Sequence, residues 1–196
     1  VIGAPKRMPQ VDYSVRRLEP GDASALSALR REALDKHPEA FSASIDDDRI
    51  VQEDGAAELL SRTDQCAVFG GFGAGHELVG MTGIIREPKF KHRHRMILWG
   101  MYVSPGGRGT GLASQLLGCA IGYARSCPEI EYVCLSATSS SEKALELYRR
   151  AGFLEWGREP CSFILGNLRL DGIHMMLSLR GSAPGGSDGG PGTAGS

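Results

Sequence analysis

Met101-Tyr102-Val103-Ser104-Pro105-Gly106-Gly107-Arg108-Gly109-Thr110-Gly111-Leu112-Ala113 reads as the end of a buried strand, a tight glycine turn and the start of an amphipathic helix. Before it, Met96-Ile97-Leu98-Trp99 continues the apolar run, broken only by Gly100. After it, Leu112, Leu116, Leu117, Ala120, Ile121 and Ala124 recur at three- and four-residue spacing, which puts them on one helix face. Glycines at 109 and 111 remove the Cβ atoms that would keep a ligand from the backbone. The first N–H groups of the helix have no intrahelical partner and lie at its positive dipole end. With Arg108 beside them, they suit a phosphate or pyrophosphate. A plain strand–turn–helix connection also needs glycine, and these residues alone leave that alternative open.

Upstream of this stretch, Tyr13 to Leu18 alternates as a first strand, and Glu19-Pro20-Gly21 turns the chain. Asp22 stands as N-cap of a helix carrying Leu26, Leu29, Ala33 and Leu34. His37-Pro38-Glu39-Ala40-Phe41 is loop, since a proline disfavours helix in the residue before it. An acidic patch at Asp46, Asp47 and Asp48 leads to a second, short helix ending near Ser61. Cys66–Gly71 and Leu78–Ile85 form an antiparallel hairpin, and a basic connection, 89–95, enters the strand before the glycine turn.

Downstream, the helix stops near Cys127-Pro128, and Tyr132 to Ala137 is a further buried strand. Ser139 with Glu142 forms a capping box for a helix closed by Gly152. Strand resumes at Phe153, and Asp171-Gly172 is the expected hairpin turn between 163–165 and 174–179. The order β-α-α-β-β-β-α-β-α-β-β implies an α/β fold with a mixed, mostly antiparallel sheet flanked by helices. Residues 1–11 read as a loose leader and 12–180 as one domain. Residues 181–196, rich in Gly, Ser and Pro, read as a disordered tail.

The 196 residues are 41% hydrophobic and 23% charged with a formal net charge of −1, so no charge excess calls for nucleic acid or a membrane. Five cysteines without C-x-x-C spacing suggest neither a disulfide framework nor a zinc knuckle. No apolar run approaches the roughly 20 residues of a membrane span. The first residues lack the apolar core of a signal peptide, so a cytoplasmic location is expected. His92-x-His94 has no third ligand at suitable spacing, and no metal is expected.

Three kinds of site use a glycine turn and a helix N-terminus. A P-loop needs Lys-Ser or Lys-Thr after its glycines, and none follows here. A dinucleotide fingerprint beginning Gly109-Thr110-Gly111 needs a third glycine where Ser114 stands. The third fits: Arg108-x-x-Gly111-x-Ala113 is similar to the R/Q-x-x-G-x-G/A signature of the GNAT superfamily of N-acetyltransferases. Ser141-x-x-Ala144-x-x-Leu147-Tyr148-x-x-x-Gly152-Phe153 resembles that family's N-x-x-A-x-x-L-Y-x-x-x-G-F. The resemblance covers roughly residues 13 to 180 and includes the order of elements.

The resemblance implies acetyl-CoA as cofactor and transfer of its acetyl group to a primary amine by direct attack on the thioester. It also implies a splayed fourth and fifth strand holding the pantetheine arm. Here Met101, Tyr102 and Val103 would hydrogen-bond the arm, with Gly100 supplying a bulge. The turn from Arg108, Gly109, Thr110 and Gly111 to Leu112, Ala113 and Ser114 would hold the pyrophosphate. Ser141 replaces the usual asparagine, and its shorter reach puts that contact in question. Gly106 and Gly107, where larger residues are common, suggest a more mobile turn. Tyr148 stands at the family's general acid, and a phenol is protonated at neutral pH; a packing tyrosine is its alternative.

No carboxylate lies on the fourth strand, so the base is sought in Glu87, His92, His94 or a water relay. In the family the loop between the first two helices lies over the acceptor mouth. Glu39, Phe41 and the three aspartates there suggest a cationic small amine or a peptide amine as acceptor. A monomer or homodimer is expected. A non-catalytic acyl-CoA sensor or an interaction domain of the same fold is the alternative, and turnover and CoA titration separate the three.

Overall fold

The computed structural model describes residues 13–180; the leader read at 1–11 and the tail read at 181–196 lie outside them. The elements run β1 (Ser14–Arg17), α1 (Ala23–Lys36), α2 (Glu53–Ser61), β2 (Cys66–Phe72), β3 (Leu78–Arg86), β4 (Arg95–Val103), α3 (Leu112–Ser126), β5 (Tyr132–Thr138), α4 (Glu142–Arg150), β6 (Leu154–Leu165) and β7 (Leu168–Ser178). They build one seven-stranded sheet in the order β1-β2-β3-β4-β5-β7-β6. Every neighbouring pair is antiparallel except β4 and β5, which α3 joins in parallel as a crossover.

Because side chains alternate across a strand, each strand feeds both faces. Val68, Met81 and Tyr102 pack with Leu26, Leu29, Ala33 and Leu60 under α1 and α2. Ala67, Phe69, Ile84, Met96 and Val133 pack with the periodic leucines of α3 and with Leu145 and Tyr148 of α4. The apolar stripe read in the sequence is thus one of two cores separated by the sheet.

Two features of β4 open the molecule. Pairing with β5 runs only from Arg95↔Tyr132 to Ile97↔Cys134, after which the strands separate. On the other side the β3 register slips between Met81 and Gly83, at Gly100, whose φ of +64° is left-handed. The expected bulge is therefore present, at a residue whose missing Cβ permits it.

One local reading holds in position though not in hydrogen bonding, and two need correction. Asp22 occupies the N-cap position of α1, but its carboxylate serves Arg16, at 2.7 Å from both Nη atoms, and accepts the Glu19 N–H at 2.9 Å. That pairing holds its pKa below the ordinary carboxylate value. Ser141, not Ser139, is the N-cap residue of α4. Ser139 is drawn to β7, where its Oγ accepts the Asp171 N–H at 3.2 Å and its own N–H donates to the Asp171 carbonyl at 2.8 Å. The last hairpin turns at Gly166-Asn167, with Gly166 at φ +56°, while Asp171 and Gly172 lie inside β7. Asp171 is used instead to bracket the irregular part of β6, accepting from Cys161 N–H at 2.9 Å and Arg158 Nε at 2.7 Å.

Candidate active site

The turn between β4 and α3 is closed by its own hydrogen bonds. Gly107 N–H donates to Ser104 O at 2.9 Å, and Thr110 Oγ1 donates to Gly107 O at 2.7 Å. Gly107 is buried against Val103, so this glycine is a packed position. Gly109 and Gly111 have φ of +77° and +87°, and a Cβ at either would meet no atom within 4 Å. Conformation, not crowding, requires glycine there, and the surface above the turn is left open. Gly111 is the N-cap of α3, and the first helical bond is Gln115 N–H to Gly111 O at 3.1 Å. The N–H groups of Leu112, Ala113 and Ser114 therefore precede the helical ladder. The Leu112 side chain is buried in the core, leaving only its backbone for a ligand, whereas Ser114 is exposed.

Beyond Ile97 the gap between β4 and β5 becomes a cleft of about 680 Å³, within the ordinary range for a ligand pocket. Met101 to Val103, the turn from Gly107 to Gly109, and Ala113 form one wall; Ser140 to Ala144 and Leu147 form the other. His37, Glu39 and Phe41, from the end of α1 and the loop after it, close the third side. The structure thus gathers Met101 to Val103, Arg108, Gly109, Ala113, Ser141, Glu39 and Phe41 around one cavity, while Thr110, Gly111, Leu112 and Ser114 do not line it. Ser141 Oγ lies 2.9 Å from Thr138 Oγ1, so its hydroxyl is already engaged at the foot of α4.

Arg108 does not project over the helix N-terminus. Its Nε donates to the Val103 carbonyl at 2.9 Å, its Nη2 lies 2.8 Å from His37 Nε2, and its guanidinium sits 5.8 Å from the Tyr102 ring centroid. The cation is folded into the strand gap. Tyr148 is buried, 6% exposed, against Phe153, and does not line the cleft. Burial pushes its phenol pKa upward, so the hydroxyl keeps its proton. Among the described residues that hydroxyl makes no hydrogen bond.

Glu87 is placed elsewhere. Its N–H donates to the Arg95 carbonyl, at the start of β4, while the cleft opens at Met101 to Val103 near the other end of that strand. His92 and His94 belong to the same remote connection, so none of the three meets the site. The acidic patch also divides. Asp48 is buried in an ion pair with Arg30 at 2.6 Å, Asp47 caps Ser44 N–H at 2.7 Å, and Asp46 is exposed.

Two residues missed in the sequence bear on the site: His37 lines the cleft, and Glu32, outside it, reaches it through Tyr102. Glu32 Oε1 accepts from Tyr102 Oη at 3.0 Å and Ser104 Oγ at 3.2 Å and pairs with Lys36 at 3.2 Å. Burial raises its pKa, but the bonds from Lys36, Tyr102 and Ser104 outweigh that and hold it below the usual value. His37 joins Arg108 on one ring nitrogen and faces Glu39 Oε1 at 3.5 Å with the other. Their only local signals are the Glu32/Lys36 spacing and the helix end before Pro38.

Among the described residues no group of three or more His, Cys, Asp or Glu is placed to hold a metal ion, and no helix is long and apolar enough to cross a membrane.

A strand gap beside a bulged β4, closed at one end by a glycine turn and a helix N-terminus, defines a class of acyl-transferring domain. The model of the acetyltransferase (GNAT) family matches residues 26–153, and the chain belongs to that family. Among solved structures it is similar to the GNAT-family acetyltransferase from Streptococcus pneumoniae, with TM-score 0.75, 22% identity, and 85% of this chain and 99% of that one covered. YncA from Salmonella typhimurium, solved with its cofactor acetyl-CoA, matches with TM-score 0.72 and 21% identity, covering 88% and 96%. Spermidine N-acetyltransferase from Vibrio cholerae, in complex with CoA and spermine, matches with TM-score 0.69 and 19% identity, covering 85% and 95%. At these identities the likeness is one of fold. No curated protein matches the sequence.

Proposed function

We propose that the protein is an N-acetyltransferase that takes its acetyl group from acetyl-CoA and passes it to a primary amine. The observation that carries this reading is the open cleft itself: β4 parts from β5 after Ile97 and runs on, unpaired on that side, to the glycine turn. Unpaired strand edges accept an extended amide-bearing arm as they accept another strand. The backbone of Met101 to Val103 supplies those groups, and the Ala113 and Ser114 N–H groups at the start of α3 suit a pyrophosphate, toward which Arg108 would have to turn from Val103 and His37. Acetyl-CoA would supply the activated thioester, and backbone N–H groups near Met101 would stabilise the oxyanion as the amine attacks.

A second cavity of about 540 Å³ supports a cationic acceptor. It lies between the α1–α2 connection and the β6–β7 hairpin, and Glu39 and Phe41 line it and the first cleft alike. Asp35, Glu39 and Asp47 border a floor that includes Leu34, Ile45 and Phe163. Acidic groups over an apolar floor fit an ammonium on an apolar stem, as in a small polyamine or a peptide amine.

Titration with acetyl-CoA tests the donor. At a hundredfold excess over Kd, mass action adds about 2.7 kcal/mol of stability, seen as a raised Tm. Gly111→Val removes that rise, because it forces a β-branched side chain into a left-handed N-cap, at a cost of about 1–2 kcal/mol, and covers the helix N-terminus. A Tm raised by ATP or NADH but not by acetyl-CoA contradicts the reading.

A further inference from the structure

We infer that His37 is the base that takes a proton from the acceptor amine, and that Arg108 masks it until the cofactor claims that arginine; the inference rests on the N-acetyltransferase reading. The chain leaves α1 at His37, with φ −139° and ψ 54°, because Pro38 follows. The ring is thereby carried off the helix and into the cleft wall, 6.0 Å from the Tyr102 ring. Its Nε2 lies 2.8 Å from Arg108 Nη2.

A guanidinium has donors and no acceptor. Nε2 must therefore present its lone pair to Arg108, and the ring proton sits on Nδ1, facing Glu39 Oε1 at 3.5 Å. A protonated ring would set N–H against N–H and cation against cation. The contact therefore engages the ring through its Nε2 lone pair at the cleft wall, with the Glu39 carboxylate beside Nδ1.

The same arginine belongs to the anion-binding turn. Its Nε occupies the Val103 carbonyl, a group of the β4 edge that a pantetheine amide needs. Charge-assisted bonds to a pyrophosphate are stronger than those to a neutral imidazole and a carbonyl. Drawing Arg108 to the phosphates would free the β4 edge and the His37 lone pair together, which couples loading of the donor to activation of the acceptor.

The acceptor arrives as an ammonium and gives one proton to Nε2, which passes it to water. The neutral nitrogen then forms its bond to the thioester carbonyl carbon, and the carbon–sulfur bond breaks with its electron pair on sulfur. The second proton shed by nitrogen balances the one taken up by the departing thiolate.

The charged and titratable groups around the ring are Arg108, Glu39, the adjacent Lys36, and Tyr102 with Glu32 on its hydroxyl, with Glu142 and Lys143 of α4 on the facing wall of the cleft. Glu32 is the poorer base, since three donors already bind it.

The test has two arms. Nitrogen NMR of the His37 ring in the wild-type protein, near neutral pH, should show an unprotonated Nε2 whose signal moves when CoA is added. In steady-state assays with acetyl-CoA and a primary amine, His37→Gln should lower kcat/KM about 10²–10⁴-fold. It should also erase the acidic limb of the pH profile and leave CoA binding no weaker than in wild type, since the imidazole no longer holds Arg108 back. A CoA titration that leaves the ring nitrogens unmoved, or a His37→Gln profile matching wild type, overturns the inference while the N-acetyltransferase reading stands. A wild-type protein that binds CoA and acetylates no amine overturns that reading, and this one with it.

Discussion

Asp48→Ala lowers the free energy of unfolding by about 3–5 kcal/mol, read as a fall in the urea midpoint without loss of slope. Arg30 and Asp48 side chains are only 6% and 7% exposed. Arg30 Nε and Nη2 both donate to Asp48 Oδ2, at 2.8 and 2.6 Å, and Asp48 Oδ1 accepts the Ile50 N–H at 2.8 Å. Phe41 lies over the guanidinium at 4.9 Å. Among the described residues Arg30 Nη1 has no hydrogen-bond partner, so this cation already depends on one carboxylate. Removing that carboxylate strands a charge in an apolar setting, where desolvation is costly. The pair as a whole is worth less, so Arg30→Met with Asp48→Leu is expected to be milder than Asp48→Ala alone. A loss below about 1 kcal/mol in Asp48→Ala, the range of an exposed pair, would return Asp48 to the solvent face of the loop.

Tyr148→Phe is expected to cut kcat about 10²–10⁴-fold while leaving acetyl-CoA affinity and the unfolding midpoint near wild type. The Phe ring keeps the packing against Phe153 and within the α3–α4 core, so the substitution removes one hydroxyl and little else. Burial holds that hydroxyl protonated, and it makes no hydrogen bond among the described residues. The hydroxyl oxygen is not among the unpartnered atoms shut off from solvent, so it remains open to an incoming acceptor although the ring does not line the cleft. A departing thiolate would satisfy it and take its proton. The measurement is kcat at saturating acceptor and saturating acetyl-CoA. An unchanged kcat makes Tyr148 a packing residue and moves the acid to water.

The element order could be read because α3 and the strands around it repeat apolar residues at clean helical and strand spacings. The glycine turn could be read because its requirement for left-handed backbone is local. What failed was set by contacts across the sheet. Asp171-Gly172 has the stronger hairpin signature, yet the chain turns at Gly166-Asn167 because Asp171 holds Cys161, Arg158 and Ser139 together. Ser139 lost its capping role to the same contact. Asp48 reads as a solvent acid until Arg30, 18 residues away, is seen beneath it. His37 and Glu32 carry no motif; they meet Arg108 and Tyr102 across 71 and 70 residues, a juxtaposition that only the folded sheet creates.

Acetyl transfer to an amine, followed directly, tests the central claim. Acetyl-CoA and the protein are incubated with a panel of primary amines, from diamines to peptides, and free CoA and acetylated amine are quantified together by mass spectrometry. The expected result is one acetylated amine for each CoA released, at a rate proportional to protein and fastest for the cationic amines. CoA released without an acetylated amine, or bound acetyl-CoA that no amine in the panel consumes, would contradict it.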